Sequence, residues 1–187
     1  MPVICALVCA VAGALIYAFL AFGLIMPQPY PEFGTDIYNA YFYQLLDGRF
    51  DLPLRMLTLE GHYSADGTGI LYHGIAPLHT RLLLHPFVTI HTFHPAAFSV
   101  WIWSVVGTGF YHLAFFQVLR KYAGQVSIIW ALLTGLAIWI CSPGLLLSAN
   151  PVLYHEPISI AYAAMAIASY LLVRCAFFCF FLIFVVI

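Results

Sequence analysis

Charge is what this chain has least of. Only 7% of its 187 residues are Asp, Glu, Lys or Arg, against 64% hydrophobic residues, whereas a soluble domain carries about 25% charged residues. So little charge excludes an ordinary water-soluble domain. Basic residues are scarce too. With six Lys and Arg and a net charge of −1, nothing resembles a basic patch, which argues against nucleic acid as a partner. Cysteine is present without pattern: Cys5, Cys9, Cys141, Cys175 and Cys179 lie in or beside apolar runs, and none forms a CxxC pair. Neither a zinc ribbon nor a disulfide framework is expected, and the thiols are read as packing or lipid-facing groups. There is no internal repeat and no second, soluble domain in the pattern.

What remains is long apolar runs. Val3 to Met26 carries no charge, a length of roughly 36 Å as a helix, enough to cross a bilayer core of about 30 Å. It is long for a signal-peptide core and lacks a basic leader, and Pro27, Pro29 and Pro31 then stop the helix. Residues 95–119 form a second uncharged span, followed at once by Arg120 and Lys121. A third covers 126–147, with Pro143 and Gly144 expected to kink or end it, and a fourth covers 158–187. The fold class expected is all-α, a polytopic transmembrane bundle of about four spans in one membrane domain, residues 1–187. The chain stops at Ile187 inside an apolar run, so it is expected to be part of a longer protein.

Between the first two spans lies a long polar loop, residues 27–94, with short amphipathic helices. It holds six of the seven acidic residues: Glu32, Asp36, Asp47, Asp51, Glu60 and Asp66. The seventh, Glu156, sits in a second polar interruption. So apolar a chain keeps carboxylates only where water or polar groups reach them. Thr35 to Leu46 reads as a helix capped by Thr35 and ended by Gly48, with Ile37, Tyr41 and Leu45 on one face and Asp36, Tyr43 and Asp47 on another. Glu60 to Gly74, with four glycines, reads as irregular loop. From Pro77 to His94, the residues Arg81, His85, Thr89 and Thr92 would line a polar stripe on an apolar helix at the membrane interface. Arg120, Lys121 and Arg174 flank one side if the spans alternate. The positive-inside rule makes that side cytoplasmic, together with the N-terminus, and turns loop 27–94 outward.

Several residues have the chemistry for a site. Asp36, just after the first span and beside Tyr38 and Tyr41, could act as a general base on a hydroxyl; from spacing alone the commoner account is a capping Asp in a solvated loop. His155 and Glu156 would share its side of the membrane, where the ordinary alternative is a polar turn. Arg81 and His85 could hold a lipid phosphate, a guanidinium fork matching phosphate oxygens. Glu60, Asp66 and His62 have the donors for a divalent cation, but their spacing matches no ligand motif and no metal or other cofactor is expected. Otherwise His85, like His73, His79, His91, His94 and His112, reads as an interfacial group bonded to backbone or head groups. Only His112 lies well inside a span, without an evident partner there.

The ordered set is more informative than its parts. A first span is followed by GTDIYNAYFYQLLDGRFDLP, then YHGIAPLHTRLLLHP, a span ending in RKYAG, and SPGLLLSANPVLYHEPISIAYAAMAIASYLL. Over residues 3–174 this resembles the N-terminal part of polytopic membrane glycosyltransferases of the GT-C type, the class of protein mannosyltransferases and aminoarabinose transferases. The resemblance implies sugar transfer from a polyprenyl-phosphate-linked donor on the outer face of a membrane, expected to be a cell inner membrane, with Asp36 as the base that deprotonates the acceptor. It also implies a weaker role for His155 and Glu156 in catalysis, while Tyr38, Tyr41, Arg81 and His85 remain candidates for substrate binding on their own chemistry. Many metal-dependent members of that class have paired acidic residues in the first loop, and Asp36 has no adjacent carboxylate. The alternative is a non-catalytic small polytopic membrane protein or an inactive truncated piece, its partners being membrane lipid and unidentified proteins.

Overall fold

A computed structural model describes residues 2–25, 35–57, 61–71, 74–90, 95–122, 127–152 and 154–186; at 2, 35, 36, 122 and 176–186 the description is of the backbone. The chain is mostly helical. In order it forms α1 (Pro2–Ala21), α2 (Thr35–Leu46), β1 (Leu52–Pro53), α3 (Leu54–Leu57), β2 (Gly61–Tyr63), β3 (Thr68–Leu71), α4 (Leu78–Leu84), α5 (Pro95–Tyr122), α6 (Ile128–Ile140), α7 (Pro143–Ala149) and α8 (His155–Val186). Val3–Ala21, Pro95–Lys121 and His155–Cys175 are each long and apolar enough to cross a membrane. The pair α6/α7, bent by 47°, makes a fourth if it counts as one span.

The bend has a local cause. Pro143 cannot donate to the preceding turn, so α6 stops at Cys141 and α7 restarts with Ser142 as its N-cap and Pro143 in its first turn. The N-terminus of α6 is capped by the Ser127 hydroxyl, which accepts from the Trp130 N–H.

The long helices pack as two parallel pairs of opposite direction. In α1 and α6, Cys9 meets Leu132 and Gly13 meets Trp139. In α5 and α8, Gly107 lies under Tyr162 and Ala163, and Phe110 under Tyr170. Between the pairs, α1 runs antiparallel to α5: Cys5 clusters with Phe116, and the Trp101 indole donates to the Ala14 carbonyl. Small residues permit these approaches, as is usual where helices pack without help from water. A Cβ on Gly13 would sit 2.2 Å from the Trp139 ring, and one on Gly107 2.5 Å from Tyr162.

The segment between the first two long helices builds its own small core. Tyr38, Tyr41 and Phe42 of α2 pack with Leu52, Leu57, Leu71, Leu78 and Ile90. The buried side of α2 is thus Tyr38, Tyr41, Phe42 and the half-buried Leu45, at helical i, i+3, i+4, i+7 spacing. Ile37 packs only partly against it.

Four expectations change. The helix α1 ends at Ala21, before the prolines. Gly23, at φ 67°, closes it, with the Gly23 N–H on the Leu20 carbonyl and the Leu24 N–H on Phe19, the bond pair of a Schellman cap. The Gly-rich stretch is not irregular where it is described: β1, β3 and β2 form an antiparallel sheet in the order β1-β3-β2. The helix after Pro77 lasts only to Leu84, so Arg81, His85 and Thr89 do not form one stripe; Arg81 is buried while His85 and Thr89 are exposed. Finally, His155, Glu156 and Pro157 belong to the first turn of α8, where proline is tolerated because its missing N–H has no helical acceptor. Gly48 does end α2 as expected, at φ 74°, with the Arg49 N–H on Gln44 and the Gly48 N–H on Leu45.

Candidate functional site

One buried polar joint connects the inter-span segment to the long helices. At its centre are Arg81 of α4 and Glu156 of α8, 75 residues apart in sequence and both fully buried. The guanidinium grips the carboxylate with two bonds: Nη1 donates to Oε2 at 2.7 Å and Nη2 to Oε1 at 3.1 Å. Its remaining bonds reach back into the segment. Nε donates to Asn39 Oδ1 of α2 at 2.9 Å, and Nη1 also to the Pro77 carbonyl at 3.1 Å. The Tyr38 ring lies beneath, its centroid 5.2 Å from the guanidinium carbon, within cation–π range. Beside it, Thr80 meets the Ser99 hydroxyl at 2.9 Å and accepts from the Trp103 indole at 2.9 Å, which fastens α4 to α5.

Each piece has a reason to be there. A desolvated carboxylate survives only with a partner that answers its charge and lone pairs, and a planar guanidinium supplies a matching fork. Glu156 also sits in the first turn of α8, where the helix dipole favours negative charge. The Ser159 hydroxyl bonds back to the Glu156 carbonyl at 2.8 Å. This pair is built to hold α2, α4 and α8 together. A carboxylate bound on both oxygens and sealed from solvent is poorly placed to exchange protons with a substrate.

The other expected site residues are distributed as follows. Asp36 lies in the first turn of α2, three residues before Asn39; its side chain is outside the described residues. Tyr38 and Tyr41 are buried. Burial, and then the nearby Asp51 charge, push the Tyr41 phenol upward from its usual range. His85 is exposed, its ring 5.3 Å from that of Phe42, and does not converge with Arg81 on a common pocket. His155 turns its Nδ1 to the Asn150 carbonyl, which closes the turn before α8. Glu32, Glu60, His73, His91, Thr92 and His94 lie outside the described residues. Asp66 sits in the β2–β3 turn, where the Thr68 hydroxyl and N–H both donate to it and hold its carboxyl below the usual carboxylate range. Arg49 does the same for the partly exposed Asp51. Among the described residues no three His, Cys, Asp or Glu side chains come together as a metal site.

A second polar cluster, deeper in the bundle, had no expectation attached to it. Tyr17 of α1 donates to the Trp139 carbonyl at 2.7 Å, next to the break between α6 and α7, and also meets Ser142. Thr108 of α5 meets Tyr17 at 3.1 Å, Ser142 at 3.2 Å and Tyr162 of α8 at 3.0 Å. These oxygens lie at direct hydrogen-bond distances from one another, so each serves as a partner for its neighbours. Nearby, His112 has a partner after all: its Nδ1 accepts from the Trp139 indole at 2.8 Å, which places the neutral ring's proton on Nε2. The one available signal was a hydroxyl residue in each long apolar segment, and sequence alone does not say that they meet.

No known protein family matches the chain, and neither a curated protein nor a solved structure shows significant similarity to it.

Proposed function

We propose that this protein is a membrane-embedded glycosyltransferase of the GT-C type, moving a sugar from a polyprenyl-phosphate-linked donor on the outer face of the membrane, with Asp36 as the base that deprotonates the acceptor hydroxyl. The observation that carries the proposal is the Arg81–Asn39 bond. It fixes α2, whose first turn contains Asp36, to Arg81 and through Arg81 to Glu156 of α8. A base must be held to within a fraction of an ångström to act, and a helix fastened by a buried charged joint meets that need better than a solvated loop. In this role Arg81, Glu156, Asn39 and Tyr38 are positioning residues. Arg120, Lys121 and Arg174 lie towards the ends of the long helices remote from this joint, which supports a cytoplasmic assignment for those ends and an outward assignment for the joint.

The test is transfer of a radiolabelled sugar from a polyprenyl-phosphate donor by the intact protein in vesicles. Asp36→Asn is expected to lower turnover at least 100-fold, in line with the usual contribution of general-base catalysis, while the elution profile and unfolding temperature stay unchanged. Unchanged transfer in that variant contradicts the assignment of Asp36. The absence of transfer by the wild type with a panel of such donors favours the second reading, a non-catalytic membrane protein. The specific observation behind that alternative is that Glu156 is held on both oxygens by Arg81, and Arg81 in turn by Glu156, Asn39 and the Pro77 carbonyl.

A further inference from the structure

The short helix α4 is built inside out for a helix facing water. Its one charged residue, Arg81, points inward and is fully buried, and Leu78 and Thr80 are buried beside it. Its outward stripe is His79, Leu82 and Leu83, continued by Pro86 and Phe87 after the helix ends. Leu82 is 60% exposed, Leu83 65% and Phe87 83%. Three large apolar groups side by side, with a charge behind them, form the kind of patch that marks a contact surface.

The level of α4 along the bundle bears on what covers it. Thr80 bonds to Ser99 and Trp103 of α5, which lie four and eight residues past the start of that helix at Pro95. At 1.5 Å per residue these are about 6 and 12 Å into the helix. The 28 residues of α5 span about 42 Å, and a hydrocarbon core of about 30 Å centred on them leaves about 6 Å beyond each boundary. Thr80 therefore sits at or just inside the boundary of the apolar core. At the same level on α8, Ile158, two residues past Glu156, is 50% exposed. The outward face of α4 thus lies at a level where side chains of a long helix are also exposed.

We propose that α4 and Phe87 are a membrane-inserted interfacial element, with Leu82, Leu83 and Phe87 among the acyl chains of one leaflet. The occupant is lipid, and a second consequence follows from it. These side chains form the wall that keeps the Arg81–Glu156 pair out of hydrocarbon on one side. The inference rests on the membrane-spanning reading of the long helices and is independent of any sugar-transfer chemistry.

The test is a nitroxide spin label placed at Leu83→Cys or Phe87→Cys in the full chain, with its native cysteines replaced by Ala or Ser, reconstituted in phosphatidylcholine vesicles. Both positions are exposed and outside the polar joint, so the label displaces no packed group. The expected result is collisional relaxation by oxygen several-fold above that by a water-soluble nickel chelate at both positions, and the reverse at Tyr63→Cys on the exposed strand β2. Nickel exceeding oxygen at 83 and 87 means water covers the face and overturns the proposal. Low access to both reagents means protein covers it, and also overturns the proposal. A variant that does not elute as the wild type is replaced by Leu82→Cys, which reads the same face.

Discussion

The two polar clusters of this molecule solve the same problem in different ways. At one end of the bundle, full charges are buried as a fork-to-carboxylate pair, with Asn39, the Pro77 carbonyl and the Tyr38 ring completing the shell of Arg81. Deeper, where α1, α5, α7 and α8 meet, Tyr17, Thr108, Ser142 and Tyr162 share neutral hydroxyl bonds and the Trp139 carbonyl at the α6/α7 break. Charge is used where the joint must link an apolar bundle to a segment outside it, and neutrality where the neighbours are only helices. The difference follows from cost. Removing one half of a buried ion pair strands the other, whereas removing one hydroxyl leaves bonds that its neighbours can partly redistribute.

That difference sets the order of expected effects. Glu156→Ala should be the most damaging single change, because it leaves Arg81 buried without its counter-charge; breaking such a pair costs about 3–5 kcal/mol. Unfolding in detergent, followed by circular dichroism against temperature or denaturant, should show it. Gly13→Ala, next, puts a methyl group against the Trp139 ring and should cost about 1–3 kcal/mol by overpacking, read in the same assay. Tyr17→Phe removes the donor to the Trp139 carbonyl and should cost about 0.6 kcal/mol, and at most about 1.7, the average and the upper limit for hydrogen bonds between membrane helices. A loss from Tyr17→Phe equal to that from Glu156→Ala would break the distinction between the two clusters.

The smallest expected effect lies outside both. The Asp66 carboxyl is held below its usual range by the Thr68 hydroxyl and N–H. A group whose folded pKa is depressed contributes stability above its unfolded pKa, near about 4. That contribution is lost as pH falls through the ordinary carboxylate range towards the depressed folded value. Lowering the pH across that interval should therefore weaken the β2–β3 turn in the wild type. Asp66→Asn should remove this part of the dependence, as followed by amide hydrogen exchange at Thr68.

How much of this was legible beforehand depends on the range of the interaction. The long apolar runs, the kink at Pro143 and the end of α2 at Gly48 are properties of a few consecutive residues, and they could be read directly. The end of α1 was misplaced because three prolines outweighed Gly23, whose left-handed backbone stops the helix earlier. The sheet was missed because its strands are two to four residues long and glycines obscure their alternation. Of the site, Arg81, Tyr38 and Glu156 were singled out, but as separate ligands or catalysts. Their mutual contact spans 75 residues, and the signal for it, two opposite charges bordering apolar segments, does not specify which charge meets which. Asn39 carried no signal beyond its place one residue after Tyr38.

The most direct test of the account is a double-mutant cycle on the joint. Arg81→Met and Glu156→Leu should each destabilise the protein by about 3–5 kcal/mol. Combined, they replace a buried pair with apolar groups and should recover most of that loss, with a coupling energy of at least about 2 kcal/mol. Simple additivity of the two losses would show that the charges do not depend on each other and would contradict the claim that this pair holds the inter-span segment to the bundle.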